Sequence, residues 1–156
     1  MGRMDTIDFR PELAGAFKAL NAAWISKFFV LEPKDIAVLD DPVGKIIGPG
    51  GHIFFVMDAG EPVGCCALQA LSDGGFEVAK MAVAESHQGR GLGRVLMQVC
   101  VDRARAVGAP RLYIETNSAL GPALGLYRSF GFVELTGKAR GPGDYARVDV
   151  WMELRL

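Results

Sequence analysis

The apolar residues of the chain follow two different spacings, and the changes between them predict the secondary structure. Polar and apolar residues alternate in MDTIDF, which predicts a first strand. Apolar residues then recur every three to four positions from Pro11 to about Phe29, which predicts a helix begun by a proline. EPKDIAVLDDP predicts a second, shorter helix closed by Pro42, and IIGPGGH predicts a glycine-rich turn.

Strand patterns replace the helical ones from His52 onward. HIFFVMD, VGCCALQAL and GFEVAKMAV are separated by the turn-forming AGEP and SDGG, which predicts three antiparallel strands in a meander. A long amphipathic helix follows, with Leu92, Leu96 and Cys100 on its apolar face. RLYIET predicts a further strand, ALGPALGLYRSF a helix, and FVEL and RVDVWMELRL the last two strands.

This order of elements predicts the fold class. Strands and helices alternate along the chain, which indicates an α/β fold with a mixed, mostly antiparallel sheet and helices on both of its faces. The 156 residues suit a single domain, 1–156, and show no repeat, low-complexity tract or domain linker.

Composition narrows the class of protein. Half of the residues are apolar and 22% are charged, which is typical of a soluble globular protein. A net charge of −1 argues against a broad nucleic-acid-binding surface. Three cysteines without metal-ligand or disulfide spacing favour a reducing compartment, so a cytoplasmic protein is expected.

No membrane attachment is expected. No apolar run approaches the roughly 18 residues of a membrane span, and the N-terminus lacks the apolar core of a signal peptide. MGRMDT fits the loose myristoylation pattern, but six residues often match by chance and no second membrane signal accompanies them.

The segment HQGRGLGRVLM places three glycines at alternate positions and two arginines before an apolar helix. Glycines permit positive φ and let a ligand approach the main chain. The first turn of a helix has N–H groups without intrahelical partners, and the helix dipole adds positive charge there. The segment therefore predicts a cradle for a diphosphate, built by Gly89, Gly91, Gly93, Arg90 and Arg94.

Two common phosphate-binding loops are excluded. A Walker A loop needs Lys and Ser or Thr after its last glycine, whereas Arg94 and Val95 follow Gly93 here. A Rossmann fingerprint needs a further glycine three residues on, where Leu96 stands.

Two motifs resemble those of a known family. MAVAESHQGRGLGRVLM contains QGRGLG, residues 88–93, and resembles the acetyl-CoA-binding motif [QR]-x-x-G-x-[GA] of the GCN5-related N-acetyltransferases, the GNAT family. LYIETNSALGPALGLYRSFGF resembles that family's next strand and helix, which end in L-Y-x-x-x-G-F, here residues 126–132. The chain is therefore identified as a member of this family, and the resemblance is weakest over residues 1–51, where acceptors are commonly bound.

The resemblance implies acetyl-CoA as co-substrate, no metal, and a set of cofactor contacts. The family's strand before the glycine loop splays from its neighbour and offers main-chain N–H groups to pantetheine and thioester. Many members also carry asparagine seven residues before the motif tyrosine, where Leu120 stands here, and Asn117 lies three residues earlier. The implied cofactor-binding residues are Met81, Ala82, Val83, Gln88, Gly89, Arg90, Gly91, Leu92, Gly93, Arg94, Asn117 and Tyr127.

The same resemblance implies catalytic residues. Tyr127 matches the family tyrosine that protonates the leaving thiolate. Glu77 matches the base position of histone-type members, and Glu115 matches that of ribosomal-protein N-terminal acetyltransferases. Glu77 could instead be a solvated residue after a turn, and Glu115 a charged strand end. Deprotonation through water is a third alternative, with a slight preference for Glu77.

Other polar residues provide weaker evidence for a role in the site. His52 and His87 have no partners at metal-ligand spacing and are interpreted as structural or solvated. Four residues after ARGPGD could line the acceptor end, namely Asp144, Tyr145, Arg147 and Asp149, although ordinary loop and strand-face polarity is the preferred interpretation. The predicted function is acetyl-CoA-dependent acetylation of a primary amine on a small molecule by direct attack. The alternatives are acetylation of a protein N-terminus or lysine, and a non-catalytic acyl-CoA sensor. A homodimer through the edge of the last strand is also considered.

Overall fold

A computed structural model describes residues 4–156. Met1, Gly2 and Arg3, which begin the myristoylation-like segment, lie outside the described residues. Among the described helices, none is long and apolar enough to cross a membrane.

The described residues form one sheet of seven strands in the order β1-β2-β3-β4-β5-β7-β6. All neighbouring strands are antiparallel except β4 and β5, which run parallel. The strands are β1 Met4–Asp8, β2 His52–Asp58, β3 Glu61–Ala70, β4 Phe76–Val83, β5 Arg111–Thr116, β6 Val133–Glu134 and β7 Val150–Arg155.

Helices cover both faces of the sheet, as the sequence predicted. The α-helices are α1 Ala14–Phe28, α2 Pro33–Asp40, α3 Leu92–Ala106 and α4 Gly121–Ser129. Helices α3 and α4 pack on one face around Phe54, Leu96 and Met152, and α1 and α2 pack on the other around Phe17 and Phe55. The predicted order of elements is confirmed.

Four details of the prediction are wrong. A 3₁₀ turn, Pro11–Leu13, precedes α1, and part of the expected glycine-rich turn is a π-helical turn, Val43–Ile47. The last strand begins at Val150 because the residues before it belong to a loop. That strand is not the sheet edge either, since β6 pairs with it through Val133 and Glu134. A homodimer through the edge of the last strand therefore loses its structural basis.

Helix α2 owes its start to a capping box. Pro33 fixes the first helical turn, and the Asp35 carboxylate accepts the Glu32 main-chain N–H at 2.9 Å. The Glu32 side chain in return accepts from the main chain at the third helical position. This cap fixes the first turn of α2, so that Asp35, buried beneath it, has a defined position.

The second face of the sheet changes character across its width. It is apolar over β2 and β3, where α1 and α2 cover it. Over β5 and β7 it is polar, because Tyr113 pairs with Glu153 and Glu115 pairs with Trp151, and paired residues point to the same face. The loop before β7 lies on this polar part, with Gly141 against Tyr113 and Gly143 against Trp151.

Candidate active site

A gap between β4 and β5 forms the centre of the site. The two strands pair only at Phe76 with Leu112 and at Glu77 with Tyr113. Beyond Glu77 the strands separate, so the later part of β4 has a neighbour on one side only. The splayed strand that the resemblance implied is therefore present.

A bulge in β4 occurs at this gap. Ala79 pairs with Ala67 and Ala82 pairs with Cys65, so two residues of β4 oppose one residue of β3. One of the two, Lys80, has φ +54°, which non-glycine residues rarely adopt. Such a conformation costs on the order of 1–3 kcal/mol and persists only where the surroundings hold it.

Main-chain donors of β4 are directed toward the gap. The Ala84 N–H donates to the Val63 oxygen at 2.8 Å, across β3. Because N–H groups alternate sides along a regular strand, that of Val83, after the bulge, points away from β3. The Gln88 side chain donates to the Val83 carbonyl on this open side, at 3.2 Å.

The glycine loop forms one wall of a groove beside this strand. Gly89 and Gly91 both have φ +78°, and a Cβ at either would meet no atom within 4 Å. Gly91 is the N-cap of α3. Gly93 lies inside the helix without positive φ, and its Cβ would come within 3.4 Å of Leu126. Glycine is thus required by conformation at Gly89 and Gly91, whereas at Gly93 an added Cβ would only come into contact with Leu126.

Most predicted cofactor contacts lie together in this groove, and three do not. Those that line it are Met81, Ala82, Val83, Gln88, Gly89, Gly91, Leu92, Gly93 and Tyr127. Arg94 instead donates to Ser129 at 3.1 Å and lies over the Phe130 ring. Arg90 is exposed and makes no ion pair or hydrogen bond within residues 4–156.

Asn117 is held by the loop before β7. Its side-chain nitrogen donates to the Arg147 oxygen at 2.6 Å, and its side-chain oxygen accepts from the Ala119 N–H at 2.8 Å. It lines a second cavity together with Leu120 rather than the groove. Its role as a cofactor contact stays a prediction.

The second cavity adjoins the groove, and three residues line both. Trp24, Met81 and Tyr127 belong to both walls, so the two spaces meet at the gap between β4 and β5. The Tyr127 hydroxyl has no hydrogen-bond partner among the described residues. Burial raises the pKa of Tyr127, so the residue is protonated at neutral pH and can donate a proton.

Glu77 lies in the wall of this cavity. It accepts no hydrogen bond from any residue in the range 4–156. Burial, and then the charges of Glu115 and Asp144, raise the pKa of Glu77 to about 7, while Lys80 opposes the shift. A carboxyl group of this pKa is half ionised near neutral pH, which suits a general base.

Glu115, the other predicted base, is engaged by the loop. Its carboxylate accepts from the Tyr113 hydroxyl and from the main-chain N–H groups of Gly143, at 3.1 Å, and Asp144, at 3.3 Å. These bonds hold the loop against the polar part of the sheet. The structure brings both carboxylates to one cavity, but only Glu77 has free acceptor oxygens there.

A buried ion cluster joins α2, β4 and the loop before β7. The Asp35 side chain is 0% exposed and accepts from Lys80 at 2.6 Å and from Arg147 at 2.7 and 2.9 Å. Burial alone would raise the pKa of Asp35, but the hydrogen bonds from Arg147 and Lys80 outweigh it and lower the pKa to about 2. Both cations stack on the Tyr145 ring.

Sequence reasoning missed most of this cluster. Lys80 and Asp35 carry no motif, and Tyr145 and Arg147 were interpreted as ordinary loop polarity, whereas the structure places them in the cavity wall. Trp24 lies within the helix predicted from Pro11 to about Phe29, and no role in a site was predicted for it. No local pattern could identify these residues, because they come from four separate segments.

The two histidines and the three cysteines have the following surroundings. His52 packs on Phe54 and Phe76, as a structural residue would. His87 pairs with Asp58 at 2.7 Å and lies at the groove wall. All three cysteines are buried. Within residues 4–156 no three His, Cys, Asp or Glu side chains are grouped to hold a metal ion.

Known proteins resemble this chain in sequence and in fold. The N-acetyltransferase YsnE of Bacillus subtilis (strain 168), itself uncharacterized, is 33% identical over 90 residues, 56% of this chain and 60% of that protein. The chain thus matches less than two thirds of that relative's length. An acetyltransferase of the GNAT family from Staphylococcus aureus Mu50 superposes with a TM-score of 0.86 at 13% identity, over 98% of this chain and 99% of its own.

A further solved structure was determined with a ligand. N-acetylglutamate synthase from Neisseria gonorrhoeae, complexed with coenzyme A and N-acetyl-glutamate, superposes with a TM-score of 0.75 at 17% identity. The match covers 100% of this chain and 36% of that protein. These likenesses show a shared fold. The acetyltransferase (GNAT) family model matches residues 16–132, three quarters of the sequence, and the chain therefore belongs to the GNAT family of acetyltransferases.

Proposed function

We propose that the protein is an acetyl-CoA-dependent N-acetyltransferase that modifies a primary amine of a small molecule by direct attack. One observation carries the proposal: the groove and the cavity meet at the gap between β4 and β5, where Trp24, Met81 and Tyr127 line both. A donor in the groove and an acceptor in the cavity would touch each other only there.

The groove fits coenzyme A in its chemistry. Its floor is main chain, since Gly89 and Gly91 leave open space where a side chain would stand. The start of α3 supplies unpaired N–H groups and the positive end of a helix dipole, which suit a diphosphate. The main-chain N–H group of Val83 suits the amide-bearing arm. The fold neighbour complexed with coenzyme A supports this choice of ligand.

Each step of the reaction has a candidate residue. The bound thioester supplies an activated acetyl group, and the amine nitrogen forms the new C–N bond as the C–S bond breaks. Glu77 takes the proton of the ammonium group, because its pKa of about 7 leaves it partly ionised at neutral pH. Tyr127 gives its proton to the departing thiolate and regains one from the nitrogen as that nitrogen becomes the amide, so that the thiol and the amide are both neutral. The β4 N–H groups stabilise charge on the thioester oxygen.

Two alternatives predict different assays. A protein N-terminus or lysine would need an open mouth, whereas the cavity is bounded by α1 and by the loop that Glu115 and Asp35 hold in place. A sensor would bind acetyl-CoA without turnover. The Glu77 carboxylate and the Tyr127 hydroxyl have no hydrogen-bond partner among the described residues and could exchange protons with a substrate, which favours an enzyme over a sensor.

The test is an amine panel with acetyl-CoA, in which release of free thiol is followed and the acetylated product is identified by mass. We expect turnover with small primary amines and none with peptides bearing a free N-terminus or lysine. Acetyl-CoA binding without thiol release for any amine would favour the sensor. Absence of acetyl-CoA binding would overturn the proposal.

A further inference from the structure

Three side chains in the cavity wall have hydrogen-bond donors without an acceptor among residues 4–156. The Lys80 ammonium has three N–H groups, of which one reaches Asp35 and one reaches the Tyr145 oxygen at 3.2 Å. The Tyr145 hydroxyl, which accepts from Lys80, donates to no residue in the described range 4–156. Arg147 has five N–H groups, and the bonds to Asp35 and Glu32 use three of them.

These donors are withdrawn from water. The Lys80 side chain is 5% exposed and that of Arg147 is 17% exposed. Both cations bind the fully buried carboxylate of Asp35, and Arg147 also reaches Glu32, so the unused donors are the part of this cluster that a ligand could satisfy. The hydrogen bonds to Asp35 and to the Tyr145 hydroxyl keep the Lys80 ammonium at this wall.

In the described part of the chain, Glu77 lacks a hydrogen-bond donor, whereas those three side chains lack acceptors for some of their donors. Its carboxylate accepts no hydrogen bond from the described residues, although it lines the same cavity as Lys80 and Arg147. Glu115 does not duplicate it, because the loop and Tyr113 occupy its oxygens. The cavity thus presents one carboxylate that receives no hydrogen bond from residues 4–156 and one group of side chains that have unused donors.

We infer that the acceptor is a zwitterion that carries a carboxylate as well as the primary amine, with the carboxylate bound by Lys80, Tyr145 and Arg147. The inference rests on the proposed function, since the amine is the group that Glu77 deprotonates. A carboxylate offers about four lone-pair sites, which matches several convergent donors. Trp24, Ile25, Phe29 and Leu120 form an apolar wall, so an amino acid with an apolar side chain is the class that fits.

Matched acceptors test the inference directly. L-Phenylalanine, L-phenylalaninamide and 2-phenylethylamine share one body and differ in the carboxylate, as do L-leucine, L-leucinamide and 3-methylbutylamine. We expect kcat/KM to be at least tenfold higher for each acid than for its amide or its decarboxylated amine. Equal or higher kcat/KM values for the amides and amines, which lack the carboxylate, would overturn the inference and leave the proposed function intact.

Variants locate the carboxylate site. Tyr145→Phe keeps the ring under both cations and removes one donor, and Arg147→Lys keeps the charge and removes the guanidinium fork. Both should raise KM for the acids roughly tenfold and change KM for the amines much less. Lys138→Met removes an exposed cation that lines neither the groove nor the cavity, and it serves as control. Equal losses for acids and amines would indicate a damaged fold, which circular dichroism checks, or the absence of a carboxylate site.

Binding separates this inference from the proposed function. Calorimetric titration of the coenzyme A-loaded protein with the six compounds needs no turnover. Acids that bind without being acetylated would contradict the proposed function and preserve the carboxylate site. If no acid binds, or if the amides bind as tightly as the acids, the inference is wrong.

Discussion

The groove and the cavity are built in different ways, although they share a boundary. The groove consists mainly of main chain: two glycines with positive φ, the start of α3 and the unpaired edge of β4. The cavity consists of side chains from α1, β4, β5 and the loop before β7, with Asp35 of α2 behind its wall. The first needs particular backbone conformations, and the second needs particular charges in particular places.

The groove and the cavity therefore tolerate different amino-acid substitutions. A main-chain site fails when a side chain intrudes or when φ becomes unfavourable, and most surrounding side chains can vary. A side-chain site fails when one charge of a coupled set is lost, because the partner then remains buried without compensation. The groove suits a ligand common to many enzymes, and the cavity suits an acceptor that distinguishes one enzyme from another.

The largest effect is expected in the groove, at Gly91. Gly91→Val places a β-branched side chain at φ +78° and in the space where the diphosphate is proposed to lie. The left-handed conformation itself costs about 1–2 kcal/mol, so the fold should survive. Acetyl-CoA binding should fall below detection by titration calorimetry.

A matched control exists in α1. Gly15→Val adds the same side chain at an exposed helical glycine with no atom within 4 Å and no positive φ. Its acetyl-CoA affinity should equal that of the wild type. Unchanged affinity in Gly91→Val would remove the groove assignment.

The next largest effect separates the two carboxylates of the cavity. Glu77→Gln keeps the shape but cannot take a proton, so turnover at neutral pH should fall roughly 10²- to 10⁴-fold. Wild-type activity should rise as pH increases through about 7, since the ionised form is the base. The variant should instead gain activity toward the amine pKa of about 10.4, where neutral amine is supplied by the solvent.

Glu115→Gln should behave differently. It removes one acceptor oxygen from the loop contacts at Gly143 and Asp144, so KM for the amine should rise without a pH-dependent rescue. Glu61→Gln, an exposed change outside the cavity, is the control. Wild-type rates and pH profiles in both cavity variants would assign deprotonation to water or to another residue.

The same contrast explains how far sequence reasoning reached. The groove is local in sequence: residues 81–93 contain the strand, the glycines and the helix start, so one motif indicates nearly all of it. The order of strands and helices was predictable for the same reason, because each element has its own apolar period.

The cavity could not be predicted in this way. Lys80 and Arg147 lie 45 and 112 positions after Asp35 in the sequence, and the three residues meet only after folding. The bulge that turns Lys80 toward the cavity has no sequence signature, since lysine is not a residue expected at positive φ. Arg94 shows the converse limit, because a suitable charge beside the glycine loop is held by Ser129 instead.

Tyr127, which belongs to both regions, should show an effect on rate alone. Tyr127→Phe removes a hydroxyl without a described hydrogen-bond partner and retains the ring that packs near Phe132. Acetyl-CoA affinity should be unchanged, and turnover should fall roughly a hundredfold. Single-turnover measurements would check that chemistry limits the rate, and an unchanged rate under that condition would exclude Tyr127 as the acid.

The smallest effect is on stability and concerns only the side-chain region. The pKa of Glu77 is raised from 4.5 to about 7 by burial first and neighbouring carboxylates second, so the folded chain binds this proton more tightly than the unfolded chain. The resulting stability is complete below pH 4.5 and is lost as pH rises to about 7. Glu77→Gln lacks this loss, so its Tm should exceed that of the wild type by a few degrees at pH 8 and not at pH 4.

The difference in Tm between variant and wild type is the quantity to follow, because other groups also titrate in this range. Asp35, with a pKa lowered to about 2, contributes stability that is lost only at more acidic pH and is common to both proteins. Glu61→Gln should show no pH-dependent difference. If Glu77→Gln also shows no pH-dependent difference in Tm, Glu77 is not buried with an uncompensated charge. The cavity would then lack the best evidence that its charges, unlike the main chain of the groove, limit which substitutions it tolerates.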